Sequence, residues 1–362
     1  MKIALIRRRG SAIGGAERYA DRLMRALLAR GHDVHLLAEA WDGLAEGVRL
    51  HPITVKGSRA LRPARFAEAA ETLSAKERFD CVFSLERTLS QDVYRAGDGV
   101  HRVWLERRRQ FSPWWKRPFI GRGAFHRTMQ ALETATFDPT RTGRVIVNSL
   151  MVRDEILRNF PFPADRIHLV RNGVETGKLQ GGDRSVFRKR FGIADGETLL
   201  LFVGSGWERK GLGFAIQALG HPALVGKPVK LLVLGKGKAP STPANVIFGG
   251  TTDALADAYA AADLLVFPPI YEPSANVVFE ALAAGVPVVT SAFNGAGEVL
   301  QEGVSGSVVA NPSDIGALAA AIARWVERKA RITFDTASID LARNVDETLA
   351  IFEQAAAERR PR

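Results

Sequence analysis

The chain is poor in cysteine: Cys81 is the only one in 362 residues. No internal disulfide can form, which fits a reducing, cytoplasmic setting. No D-x-D pair occurs, and no His or Cys cluster has metal-ligand spacing, so no bound metal or cofactor is expected. Apolar runs never approach the length of a membrane span. Ile3 to Ile6, ahead of Arg7, Arg8 and Arg9, is too short for a signal peptide. Acidic residues are the other shortage, 39 Asp and Glu against 50 Lys and Arg, for a net charge of +11. That balance calls for an anionic partner: a nucleotide diphosphate, a nucleic acid or an anionic membrane surface.

What is present reads as α/β. Residues 2–8 have a buried-strand pattern, followed by Gly10, Gly14 and Gly15 and a helix over about 15–30 that stops at Gly31. This is a Rossmann-like opening, but the glycines lack the G-x-G-x-x-G spacing, so a nicotinamide or flavin site is poorly supported. Strands are predicted over 33–38, 48–55, 81–85, 144–149 and 167–171, with a helix over about 64–76. Beyond a glycine-rich stretch at 177–183 the rhythm restarts and continues to the end. The length suits two domains. They are placed at 1–174 and 175–337, with a last helix over about 338–358.

The second half carries the densest chemistry. Tyr271 to Pro287, YEPSANVVFEALAAGVP, follows a strand, turns, and enters a helix that closes at Gly285. Ser274 is a fair N-cap, which would leave the amides of Asn276 and Val277 at an anion-attracting helix start. Glu272 in the turn and Glu280 in the helix would face the same crevice, suited to the hydroxyl pairs of a sugar nucleotide. Upstream, Gly204 to Gly211 follows a strand and presents Arg209 and Lys210 near Gly206. Leu212 follows Gly211 where a P-loop needs Lys and Ser or Thr, so a Walker-type NTPase is disfavoured.

Glu272, seven intervening residues and Glu280, followed by Ala281 to Val289, resemble the E-x7-E signature of retaining GT-B glycosyltransferases of family four. The resemblance implies two Rossmann-like domains facing across a cleft, with the last helix crossing back to the first. It implies a retaining hexosyl transfer from a nucleotide diphosphate sugar, of the UDP-glucose kind, without metal. Glu272, Arg209 and Lys210 become catalytic candidates, Arg209 and Lys210 for the leaving diphosphate. Gly14, Gly15, Asn172, Gly206, Ser274, Ala275, Asn276, Val277 and Glu280 join them as donor-binding candidates, Glu280 for the ribose.

The segment from Ser84 to Asp98 resembles the cleft lining of lipopolysaccharide core glucosyltransferases within that family. It implies an acceptor-facing, catalytic Asp98 and a lipid-linked core oligosaccharide as acceptor, although Asp98 between two glycines also suits a simple turn. Residues 101–127 then interleave Arg102, Arg107, Arg108, Arg109, Lys116, Arg117, Arg122 and Arg127 with Trp104, Phe111, Trp114, Trp115, Phe119 and Phe125. Cations among indoles suit an anionic membrane interface. On this reading Trp104, Arg107, Arg108, Trp114, Trp115, Lys116 and Arg117 touch membrane or acceptor, and the protein sits peripherally on the cytoplasmic face of the inner membrane. A core-packed helix pair with a solvated basic face stays open, and a nucleic-acid surface comes last for want of a companion motif. Two other functions remain as alternatives: a non-hydrolysing nucleotide-sugar epimerase, and a non-enzymatic basic membrane- or nucleic-acid-binding module.

Overall fold

A computed structural model of the chain describes residues 1–10, 15–238 and 243–358. It divides into two compact units, Met1–Arg171 with Asn344–Arg362, and Asn172–Arg343. The sequence alone places the first boundary at 174/175, three residues later.

The first unit opens with β1 (Lys2–Ile6), β2 (Arg9–Gly10), α1 (Gly15–Ala29), β3 (Asp33–Ala38), β4 (Ala40–Trp41), β5 (Arg49–Pro52) and α2 (Arg62–Lys76). It continues with β6 (Cys81–Ser84), β7 (Gln91–Arg95), α3 (His101–Gln110), α4 (Ala124–Thr136), β8 (Thr142–Val147), α5 (Leu150–Asn159) and β9 (Ile167–Leu169). Among the described residues its main sheet has seven parallel strands in the order β5-β3-β1-β6-β7-β8-β9. Helices cover both faces of such a sheet, so its central strands are buried on both sides and largely apolar, as in Ile3–Ile6 of β1 and Cys81–Phe83 of β6.

β7 breaks that rule and has no counterpart in the sequence reading. Its polar Gln91, Asp92 and Arg95 are buried, and each is met inside the fold. Gln91 accepts from the Thr88 hydroxyl, Asp92 accepts from the Val82 amide at 2.8 Å, and Arg95 stacks 4.1 Å over the Tyr19 ring. The expected strand at 48–55 contracts to β5, which lies at the sheet edge and ends on Pro52, a residue with no N–H to extend a ladder.

The second unit runs α6 (Arg184–Arg190), β10 (Thr198–Val203), α7 (Leu212–Leu219), β11 (Val229–Leu234), β12 (Val246–Gly250) and α8 (Leu255–Ala261). There follow β13 (Leu264–Phe267), α9 (Asn276–Ala283), β14 (Val288–Ser291), β15 (Gly306–Val309) and α10 (Ile315–Arg328). Its six-stranded parallel sheet has the order β12-β11-β10-β13-β14-β15. Every residue of β10 and β13 is buried, and each large aliphatic or aromatic side chain so buried contributes about 1.5–3 kcal/mol.

The last helix, α11 (Leu341–Glu358), begins at the end of the second unit, and from Asn344 onward it belongs to the first. There Asn344 Nδ2 donates to the Arg171 carbonyl at 2.6 Å, and Phe352 packs on Phe83 at 4.8 Å. No helix among the described residues is long and apolar enough to cross a membrane.

Candidate active site

In the second unit β10 delivers the chain into a turn that ends at Gly211, ahead of α7. Gly211 has φ +76°, and a Cβ there would lie 1.8 Å from the Pro268 carbonyl oxygen. Only glycine permits that approach. The turn is therefore pressed onto the segment that follows β13, and the Ile270 amide donates to the Arg209 carbonyl at 2.9 Å. Trp207 closes the other flank, its indole N–H donating to the Gly204 carbonyl at 2.9 Å. Arg209 consequently reaches across. Its Nη1 donates to the Tyr271 carbonyl at 3.1 Å and sits 2.9 Å from Glu272 Oε2. Lys210 lies along Gly204 with its Nζ 5.6 Å from the centre of the Phe267 ring.

Glu272 is itself pinned. Its amide donates to the Phe293 carbonyl at 2.8 Å, and its carbonyl accepts from the Gly295 amide at 3.0 Å. Asn294 completes the clamp, Oδ1 accepting from the Ala275 amide and Nδ2 donating to Thr290. α9 then starts at Asn276 with Ala275, not Ser274, in the N-cap position and no side chain capping it. The expected Ser274 cap is thus displaced by one residue, and the Ala275 amide is held by Asn294. Ser274 is buried, and its hydroxyl has no hydrogen-bond partner among the described residues. The uncapped end leaves the amides of Asn276 and Val277 at an open helix start. Asn172 bridges over it, its side-chain amide donating to the Ser274 carbonyl at 3.0 Å and to Asn276 Oδ1 at 2.7 Å.

Glu280 lies within α9, and its Oε2 accepts from the Tyr259 hydroxyl at 2.7 Å. The four charges form one field. Burial pushes the Lys210 ammonium below the ordinary lysine range, the carboxylates of Glu272 and Glu280 draw it back up, and Arg209 adds to the lowering. Two cations and two carboxylates thus meet beside an open helix start at the carboxyl end of a parallel sheet, where α/β proteins bind ligands. A shallow groove of about 380 Å³ at the other end of α9, lined by Ala284, Gly285, Arg331 and Ile332, is a different feature. Its Arg331 is already engaged with the carbonyls of Tyr259, Ala260 and Ala284.

Asn172, Gly206, Arg209, Lys210, Glu272, Ser274, Ala275, Asn276, Val277 and Glu280 therefore all fall within this unit. Sequence reasoning missed Tyr259 and Asn294, which hold Glu280 and the Glu272 turn. It could have found neither, because their partners lie about twenty residues away along the chain.

The remaining candidates belong to the first unit. Gly14 lies outside the described residues, and Gly15 opens α1. Asp98 is exposed in the turn between Gly97 and Gly99. The basic aromatic segment folds as the pair α3 and α4, joined by a tip with a 3-10 turn at Arg117–Phe119. Trp114, Trp115 and Phe119 are 75%, 56% and 74% exposed, three large apolar side chains left in solvent at one tip. Lys116 and Arg117 are exposed between them, whereas Trp104, Arg107 and Arg108 lie half-buried on α3.

Comparison with known proteins matches residues 13–178 to the model described as Glycosyltransferase Family 4 and residues 197–328 to that described as Glycosyl transferases group 1. The lipopolysaccharide glucosyltransferase WaaG of Escherichia coli K12 is 25% identical over 315 residues, covering 83% of this chain and 82% of that protein. A crystal structure of WaaG superposes with a TM-score of 0.76 at 23% identity, covering 98% of each chain. Anabaena HepE, solved in complex with UDP-glucose, superposes with a TM-score of 0.68 at 17% identity, covering 99% of this chain and 98% of that one. These likenesses give the fold as GT-B.

Proposed function

We propose, from the match of residues 13–178 to the Glycosyltransferase Family 4 model and of residues 197–328 to the group 1 model, that this glycosyltransferase moves a hexose from a nucleoside diphosphate donor to a lipopolysaccharide core acceptor. We take UDP-glucose as the donor. The observation that carries the reading is the meeting of Arg209 with Glu272 at 2.9 Å, in the field that Lys210 shares with Glu272 and Glu280.

The acceptor hydroxyl oxygen bonds to the anomeric carbon as the bond from that carbon to the phosphate oxygen breaks. The electron pair leaves with the diphosphate. Arg209 and Lys210 meet the charge that builds there, and each preorganised donor of this kind is worth about 10²–10³ in rate. The amides of Asn276 and Val277 add to the same hold. With cations in this place the departure needs no metal ion. Glu280, oriented by Tyr259, takes the ribose hydroxyls, and Glu272 takes hydroxyls of the donor sugar. The departing phosphate oxygen accepts the acceptor's proton, so bond-making and bond-breaking share one face and the anomeric configuration is retained. The pairing of Glu272 with Arg209 supports this over a covalent enzyme intermediate, since a nucleophile is weakened by a guanidinium partner. On the acceptor side Asp98 faces the incoming sugar. The tip of Trp114, Trp115, Lys116, Arg117 and Phe119 seats the protein peripherally on an anionic membrane, on its cytoplasmic face.

The test is incubation with UDP-glucose and lipopolysaccharide truncated to its inner core, in EDTA. The expected product carries one added glucose in α linkage by NMR. Conversion of the donor without acceptor, or a β linkage, would overturn the reading.

A further inference from the structure

In the first unit a carboxylate without any exposed surface sits where solvent would be the easier home. Glu133, on α4, is 0% exposed, and an isolated charge in such a place is costly unless fully met. Its Oε1 accepts from the His101 amide and its Oε2 from the Arg102 amide at 3.2 Å. These are the first two amides of α3, which has no side-chain cap of its own at Val100. Glu133 therefore caps α3 from a neighbouring helix, where the helix dipole also favours a negative charge. Two guanidiniums balance it, Arg87 at 3.4 Å and Arg102 at 3.7 Å.

Arg87 carries the link further. Its Nη2 donates to the Gly99 carbonyl at 2.7 Å, and Gly99 holds φ +67° with its amide donating to the Ala96 carbonyl at 3.1 Å. The turn these bonds close holds Gly97 and Asp98. One buried carboxylate thus fixes the turn that presents Asp98 and, through the start of α3, the helix leading to the aromatic tip. The stacked rings of His101 and His126, 5.2 Å apart, join α3 to α4 on the same side.

We propose that Glu133 is a positioning residue for acceptor transfer, holding the Asp98 turn and the start of α3 through Arg87 and two backbone amides. The role rests on the reading of Asp98 as acceptor-facing. The test compares Glu133→Gln with wild type in the full chain, using UDP-glucose and lipopolysaccharide truncated to its inner core. Glutamine keeps the shape but offers one acceptor oxygen and no charge.

Amide hydrogen exchange over residues 97–103 should speed up about tenfold. The acceptor KM should rise about tenfold with the donor KM within about twofold, since misplacement of a reacting group is costly. If Glu133→Gln does not fold, Arg87→Lys takes its place, keeping the buried charge but losing the reach to both Glu133 and Gly99. Unchanged exchange, or equal loss on donor and acceptor KM, would overturn the proposal. Faster exchange together with normal turnover in both Glu133→Gln and Asp98→Asn would instead overturn the reading of Asp98, and with it the catalytic consequence drawn here.

Discussion

In the second unit the functional side chains hang on backbone that tight turns hold in place, whereas the first presents its own on a helix pair tied down by a buried carboxylate. Arg209, Lys210 and Glu272 are set by Gly211 against Pro268 and by Asn294 against Ala275, contacts in which backbone meets backbone or one short amide. Asp98 and the aromatic tip depend on Arg87 and Glu133, long side chains reaching between elements. If the proposed roles hold, the lesson is that charge chemistry on a diphosphate demands geometry fixed at the main chain, while a surface that meets a membrane can be carried on helices.

The sharpest way to break the comparison is to empty the second unit of its cations. Arg209→Ala with Lys210→Ala should lower transfer by about 10³-fold or more, while binding to anionic vesicles stays as in wild type. Next comes the backbone itself. Gly211→Ala must place a Cβ into the Pro268 carbonyl at positive φ, and should cost about 2–4 kcal/mol in urea denaturation. On the other side, Trp114→Ser, Trp115→Ser and Phe119→Ser combined should weaken binding to anionic vesicles by about tenfold to a hundredfold, with the donor KM unchanged. A smaller effect sharpens the account of Glu280. Tyr259→Phe removes one hydrogen bond to a charged group, and should raise the donor KM by about fivefold to tenfold with little change in kcat.

The mildest expected effect is on pH. Burial, with Arg87 and His126 adding to it, pulls His101 down to about 4 from the ordinary value of 6.5. The unfolded chain thus takes up this proton at higher pH than the folded one does. Stability from this group is full above about 6.5 and declines as pH falls toward 4. His101→Asn should flatten that decline in melts at successive pH values, and an unchanged slope would remove His101 from the account.

The cluster proposed to bind the donor was legible in the sequence because its parts are local. Glu272 to Glu280 and Gly204 to Gly211 are continuous stretches whose residue types state their own turns. The two-sheet α/β fold was legible for the same reason, from apolar strands such as those predicted over 33–38 and 81–85 and from the rhythm that restarts beyond 177–183. β7 was not, because Gln91, Asp92 and Arg95 look like loop residues until Thr88, Val82 and Tyr19 close on them. The helix cap lies at Ala275 and not at Ser274, and the Ala275 amide is held by Asn294, about twenty residues away along the chain. Glu133 carried no signal at all, since a glutamate in a helix reads as solvated until its burial is seen.

The central claim is that the second unit grips a diphosphate with Arg209 and Lys210 opposite Glu272 and Glu280. Titration calorimetry of UDP and of uridine against wild type and the Arg209→Met/Lys210→Met variant tests it most directly. Wild type should prefer UDP by about a hundredfold through charge-assisted bonds, and the variant should bind uridine as before with that preference reduced to a few fold. A variant that still favours UDP to the wild-type extent would contradict the account.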